Sequence, residues 1–159
     1  MVRIRLGGLP ELMHDEDTRV APEIRATGLS RAIWPEGPDR AVPHALVHAV
    51  ALIELACQPM MIAWGPERRM FFNEAFRPIL AGKPEALGRP LLEVFPESWA
   101  FVEDVFLCAE AGQSVFREDF EVPVTRNGQT EPAWWTLSCS PLPVSSGEIG
   151  GVLCVVQSG

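Results

Sequence analysis

The chain has 159 residues, 47% of them hydrophobic and 21% charged, the size and composition of one ordinary globular domain rather than a disordered chain. A formal charge of −8 and a pI near 4.9 argue against a nucleic-acid-binding or anionic-membrane surface. Tyr is absent and Lys83 is the one lysine, so tyrosine chemistry is excluded and lysine chemistry has a single candidate.

Residues 1–42 carry scattered Pro, Gly and charge without sustained periodicity and read as an irregular N-terminal extension. Leu29, Ile33 and Trp34 are its side chains suited to docking on the main body. His14-Asp15-Glu16 resembles a phospho-acceptor histidine box, but Pro10 and Pro22 flank it closely and it reads as a solvated loop. The N-terminus turns acidic too soon for a secretory signal. Cys57, Cys108, Cys139 and Cys154 are too widely spaced for a CxxC or zinc-ribbon site, so the expectation is a reducing cytoplasm with mostly buried free thiols. Ala45 to Gly65 is the most apolar stretch, yet His48, Glu54, Gln58 and Pro59 within it argue against membrane insertion.

From Pro43 a helical stripe begins: Leu46, Val50, Ile53 and Cys57 recur at i, i+4, i+7 and i+11, widened by Val47 and Leu55. This predicts an amphipathic capping helix over 43–58, stopped by Pro59. His44 and His48 are spaced to share a metal, but no third ligand follows and they read as surface residues.

The remainder, 59–157, reads as the core. MMIAWG is a compact apolar strand, a Gly-Pro-Glu-Arg turn follows, and Met70-Phe71-Phe72 is its hairpin partner. Asn73 fits a helix N-cap, with Phe76 and Leu80 on the inner face of a short helical turn. Two more short turns lie at Pro84–Gly88 and Pro90–Phe95. Glu97 to Ala111 is the second long helix, with Trp99, Val102, Val105 or Phe106 and Ala109 at helical spacing and Gly112 as its C-cap. Three strands close the chain. Ser114–Thr125 carries Phe116, Phe120, Val122 and Val124 and ends in the Arg126-Asn127-Gly128-Gln129 hairpin turn. Ala133–Ser140 alternates Trp135, Leu137 and Cys139 with Trp134, Thr136 and Ser138. Ile149–Val156 is nearly continuous and apolar, as a central strand is.

Two strands, three short helices, a longer helix and three strands predict an α+β domain: a five-stranded antiparallel sheet with helices on one face. On this order the stretch PMMIAWGPERRMFFNEAFRPILAGKPEALGRPLLEVFPESW, with WWTLSCSPLPV and GEIGGVLCVV, resembles a PAS sensor domain. It is most similar to the N-terminal PAS modules of bacterial sensor histidine kinases. The marks are the hairpin ending in Asn73, the Gly88-Arg89-Pro90 step, the Ser138-Cys139-Ser140-Pro141 strand end and Gly150-Gly151 at the start of the last strand. The resemblance covers about residues 43–156.

The resemblance implies sensing by a ligand or cofactor held between the sheet and the short helices. Which cofactor is unknown, but three chemistries are disfavoured. Haem-binding relatives use a histidine on the long helix, which has none here. Cysteine-linked flavin relatives carry a cysteine on the short helices, and residues 74–96 have none. Coumarate-type receptors need supporting Tyr. A small apolar ligand or a filled core remains. The expected wall is Ile62, Trp64, Phe72, Phe76, Leu80, Phe95, Val102, Phe106, Phe120, Trp135, Leu137 and Val152. Cys108, Cys139 and Cys154 are expected near it as small hydrophobes, since none adjoins a cation in sequence.

The resemblance also implies a homodimer and a downstream kinase or other output domain. The helix over 43–58 caps the outer sheet face or packs on a second copy, through Leu46, Val50, Ile53 and Trp134. The chain stops directly after the last strand, where a signalling helix starts in relatives, so it is expected to be a piece of a longer protein. No catalytic residue is expected: Ser138-Cys139-Ser140 has no histidine base within 59–157, and Glu103-Asp104 and Glu118-Asp119 point apart as solvated faces. The alternatives are a ligand-free dimerisation or scaffolding module and a small cysteine-dependent enzyme.

Overall fold

The computed structural model describes residues 42–80, 82–83 and 85–158. The extension expected at 1–42, with its histidine box, therefore lies outside the described residues except for Val42. In chain order the elements are α1 (His44–Glu54), β1 (Met60–Trp64), β2 (Arg69–Phe72), a 3-10 helix (Glu74–Leu80), α2 (Leu91–Val94) and α3 (Trp99–Glu110). Five strands follow: β3 (Val115–Glu121), β4 (Val124–Arg126), β5 (Gln129–Glu131), β6 (Trp134–Pro143) and β7 (Ile149–Ser158).

The main sheet is five-stranded and antiparallel, in the order β2-β1-β7-β6-β3. The expected α+β architecture is thus present, with the nearly continuous apolar strand β7 at the centre of the sheet. The Asn127-Gly128 turn, both residues at positive φ, forms the β4–β5 hairpin. That hairpin is a separate two-stranded sheet rather than an extension of β3.

Each face of the main sheet carries its own apolar cluster. On the outer face α1 buries Leu46, Val47, Ala49, Val50 and Ile53 against Ile62 and Phe71. Burying such a side chain is worth about 1.5–3 kcal/mol, which holds a helix too short to be stable alone. Three of the four residues expected on the capping surface, Leu46, Val50 and Ile53, are therefore covered within the chain. The fourth, Trp134, is not: it is the first residue of β6, opposite Glu121 of β3, and is 51% exposed.

The helix also ends earlier than its apolar stripe. Ile53 and Ala56 both turn their carbonyls to the Asn73 side chain, and the helical ladder stops at Glu54. Leu55, at 86% exposure, and Cys57 are consequently outside the buried stripe.

Strand parity corrects two expected wall residues. In β1, Met61 and Ala63 face the inner cluster, which places Ile62 and Trp64 on the outer face with α1. Trp64 is held there by glycine: a Cβ on Gly150 would lie 2.8 Å from its ring and one on Gly151 2.9 Å. A β-bulge interrupts β3: its register shifts between Arg117 and Phe120, with Asp119 at φ 47°, and after the shift Phe120 packs on the inner cluster, while Phe116 before it is 58% exposed.

Among the described residues, no helix is long and apolar enough to cross a membrane.

Candidate functional site

Between the inner sheet face and α2, α3 and the 3-10 helix lies a cavity of about 90 Å³. Of the expected wall residues, Phe76, Phe95, Val102, Phe106, Trp135 and Leu137 line it. Phe72, Leu80, Phe120 and Val152 belong to the same apolar cluster without lining the cavity, and Ile62 and Trp64 are on the opposite face. Met61, Ile79, Leu91, Ser98, Trp99, Val105, Val122, Val124 and Val156 complete the wall with Cys139 and Cys154. The aliphatic members of that set look like ordinary core residues in sequence, and nothing but their place in the fold marks them.

The hydrogen-bonding groups nearest the space are already engaged. Ser98 Oγ donates to the Pro123 carbonyl at 2.8 Å, and Trp135 Nε1 donates to the Val122 carbonyl at 3.0 Å. The two groups that interrupt the apolar wall therefore commit their protons to the segment after β3. What the cavity offers an occupant is dispersion contact with rings, methyls and sulfur.

Two half-buried charged clamps fix the aromatic part of the wall from outside. Arg68 forks onto Glu110 with both contacts at 2.8 Å, and its guanidinium lies 4.6 Å from the Trp99 ring centre. Lys83 Nζ lies 3.0 Å from Glu97 Oε1, an ion pair outside hydrogen-bonding angles, and 5.2 Å from the Phe95 ring centre.

Asn73 joins the cavity to the capping helix. Its Oδ1 accepts the Phe76 N–H, as an N-cap should, and also the Met60 N–H, both at 3.1 Å. Its Nδ2 donates to the carbonyls of Ile53 and Gln58 at 2.9 Å and of Ala56 at 3.4 Å. One buried amide thus ties the end of α1, the start of β1 and the turn that carries Phe76. The capping role is legible in the sequence; the carbonyl partners, 15 to 20 residues away, need the folded position of α1.

The cysteines separate into two kinds. Cys57 and Cys108 are exposed, contrary to the expectation of mostly buried thiols, and Cys108 does not reach the cavity because α3 turns it to solvent. Cys139 and Cys154 are buried and directly opposed across β6 and β7, with their Sγ atoms 2.9 Å apart. The hydrogen bond with Cys139, together with burial, pushes the Cys154 thiol well above its ordinary pKa. His44 and His48 lie on α1, and the described residues hold no cluster of three or more metal-ligating side chains.

No family model matches the sequence, and no curated protein matches it. Solved structures do match the fold. An RNA-binding light-oxygen-voltage receptor aligns at 16% identity with a TM-score of 0.53, covering 76% of this chain and 34% of that one. The light-state Aureochrome1 LOV photoreceptor aligns at 17% identity with a TM-score of 0.50, covering 68% of this chain and 86% of its own. The chain has a PAS-like fold. The PAS domain of Bordetella pertussis BvgS also aligns, at 22% identity and a TM-score of 0.46 over 72% of this chain and 84% of that one. This PAS-like chain spans about a third of the length of the RNA-binding receptor. A cavity of about 90 Å³ is well below the roughly 300–1,000 Å³ of pockets that enclose drug-sized molecules, so its wall as it stands does not fit a flavin ring system.

Proposed function

We propose that this domain is a sensory and protein-interaction module of a bacterial signalling protein, acting as the input of a histidine kinase. Its sensing site is the cavity, and its ligand is a small apolar molecule of gas size. The observation that carries this reading is a space of about 90 Å³ walled by apolar groups whose few polar neighbours are already hydrogen-bonded. A dry engineered cavity of roughly 150 Å³ takes benzene or xenon, so a smaller one suits a diatomic gas or a single heavy rare-gas atom. The signal would leave through Phe76 and Asn73 to α1, as a shift between two packings. Catalysis is assigned to an output domain; Ser138 and Ser140 lie in β6 and do not line the cavity.

Xenon is the direct probe. Titrating the purified domain should shift the bound ¹²⁹Xe resonance and perturb the methyl signals of Val102, Val105 and Leu137. The filling variant Val105→Phe should abolish both effects. Methyl signals that stay fixed under saturating xenon would sink the ligand reading.

A ligand-free dimerisation module is favoured by a different observation. Trp134 and Phe116 stand more than half exposed at opposite ends of the β3–β6 pair, on a part of the outer face that α1 does not reach. A sedimentation equilibrium run decides it: a dimer that Trp134→Arg converts to monomer supports this reading, and a wild-type monomer rejects it.

A further inference from the structure

We propose that Cys139 and Cys154 form an oxidisable dithiol, a cross-strand pair that a small hydroperoxide reaching the cavity converts to a disulfide. Three independent features place it there. The residues are direct partners in the β6–β7 register, their sulfurs are 2.9 Å apart, and both line the cavity while being only 2% exposed themselves. Opposed residues on antiparallel strands have Cα atoms about 4.5–5.5 Å apart, inside the roughly 4.4–6.8 Å range a disulfide spans. Reaching a bond length of about 2.0 Å therefore takes side-chain rotation, with the strands left in register. Packing alone asks only that a buried cysteine fill volume, and two such residues need not face each other sulfur to sulfur.

The chemistry balances with the peroxide as the named oxidant. One sulfur, after losing its proton, attacks a peroxide oxygen; the O–O bond breaks, and the departing oxygen takes up a proton to leave as water or an alcohol. The resulting sulfenic acid is attacked by the second sulfur, its S–O bond breaks, and hydroxide leaves as water with the second thiol's proton. Two thiols lose two electrons and two protons, and the peroxide is reduced to water and its alcohol, or to two waters from hydrogen peroxide. Hydrogen peroxide is comparable in size to the gas molecules the cavity suits. The Cys139 hydrogen bond and burial push the Cys154 thiol above its ordinary pKa, which disfavours Cys154 as the attacking thiolate.

This inference rests on the proposed sensing cavity only for the route the oxidant takes. The test uses the full chain carrying Cys57→Ser and Cys108→Ser, which removes the exposed thiols and leaves the buried pair native. After hydrogen peroxide, the protein is unfolded and alkylated, and intact mass is read with and without a dithiol reductant. The expected result is loss of both alkylatable thiols together, a mass lower by two hydrogens, and recovery of both on reduction. Thiols that stay alkylatable under a dose that oxidises Cys57 in the wild-type chain overturn the proposal. So does a gain of oxygen in place of lost hydrogen, or a disulfide that forms only where denaturant unfolds the domain. The two readings fail separately: xenon binding with inert thiols removes the dithiol and keeps the sensing cavity, and a disulfide without xenon binding does the reverse.

Discussion

On its outer face the sheet is covered by one continuous helix, whose aliphatic side chains meet Ile62 and Phe71 and leave Leu46 fully buried. On its inner face the cover is assembled from the 3-10 helix, α2 and α3, and the side chains at the seam include Phe76, Phe95, Trp99 and Phe106. Aliphatic side chains on one regular helix can settle into the grooves of a sheet. Rigid rings at the inner seam meet at several angles: Phe76 and Phe95, from different segments, cross edge to face at 87°, and Trp99 and Phe106 on α3 are tilted at 43°. The same sheet is therefore sealed on one side and left with a cavity on the other. A sensing domain needs both, a firm contact to transmit a change and a soft place to receive it.

Breaking the link between the two faces should have the largest effect. Asn73→Ala removes the side-chain acceptor of the Met60 and Phe76 N–H groups and the amide donor to the Ile53 and Gln58 carbonyls, while Phe76 N–H keeps the residue-73 carbonyl and the Ile53 carbonyl keeps the Ala56 N–H, at a cost of about 3 kcal/mol in unfolding free energy. Urea unfolding measures the loss. Beyond its size, the comparison predicts uncoupling: hydrogen exchange should rise in α1 before it rises in β6 and β7. Uniform acceleration across all elements would mean that the faces are not separable units.

Adding volume to each face then compares them on equal terms. Ala49→Leu, on α1 in the outer cluster, should destabilise by about 2 kcal/mol because there is no room for the added atoms. Val105→Leu, on α3 at the cavity wall, should stabilise by up to about 0.8 kcal/mol as one methylene enters empty space. Thermal unfolding of the two variants reads the difference. If both lose stability equally, the inner face is as tightly packed as the outer one.

How much of this was legible in the sequence follows from the physics of each element. Helical period, the Asn-Gly turn and the N-cap at Asn73 are local, and they led to the element order and the fold. Strand parity in MMIAW was not legible, because a strand with apolar residues on both faces has no polar positions to show which way it points, and a one-residue slip exchanges the faces. Ile62 and Trp64 were misassigned for that reason. The bulge at Glu118-Asp119 was not legible either, because two acidic residues in a strand do not announce one. The cavity itself is a shortage of volume among 17 side chains, and no single residue encodes it. The Cys139–Cys154 contact depends on the β6–β7 register, which the turn between them sets.

The smallest expected effect marks where the outer seal stops. By its spacing Leu55 belongs to the same stripe as Leu46 and Ile53, and as a core residue its replacement by Ser would cost several kcal/mol. The helix ends one residue before it, because the Ile53 and Ala56 carbonyls have turned to Asn73. Leu55 is left 86% exposed, with almost no apolar surface removed from water on folding. Leu55→Ser should therefore change stability by no more than about 0.5 kcal/mol, with Ile53→Ser two residues away as the costly control. Equal and large losses at both positions would mean that the helix continues through Leu55, and that Asn73 does not hold its end.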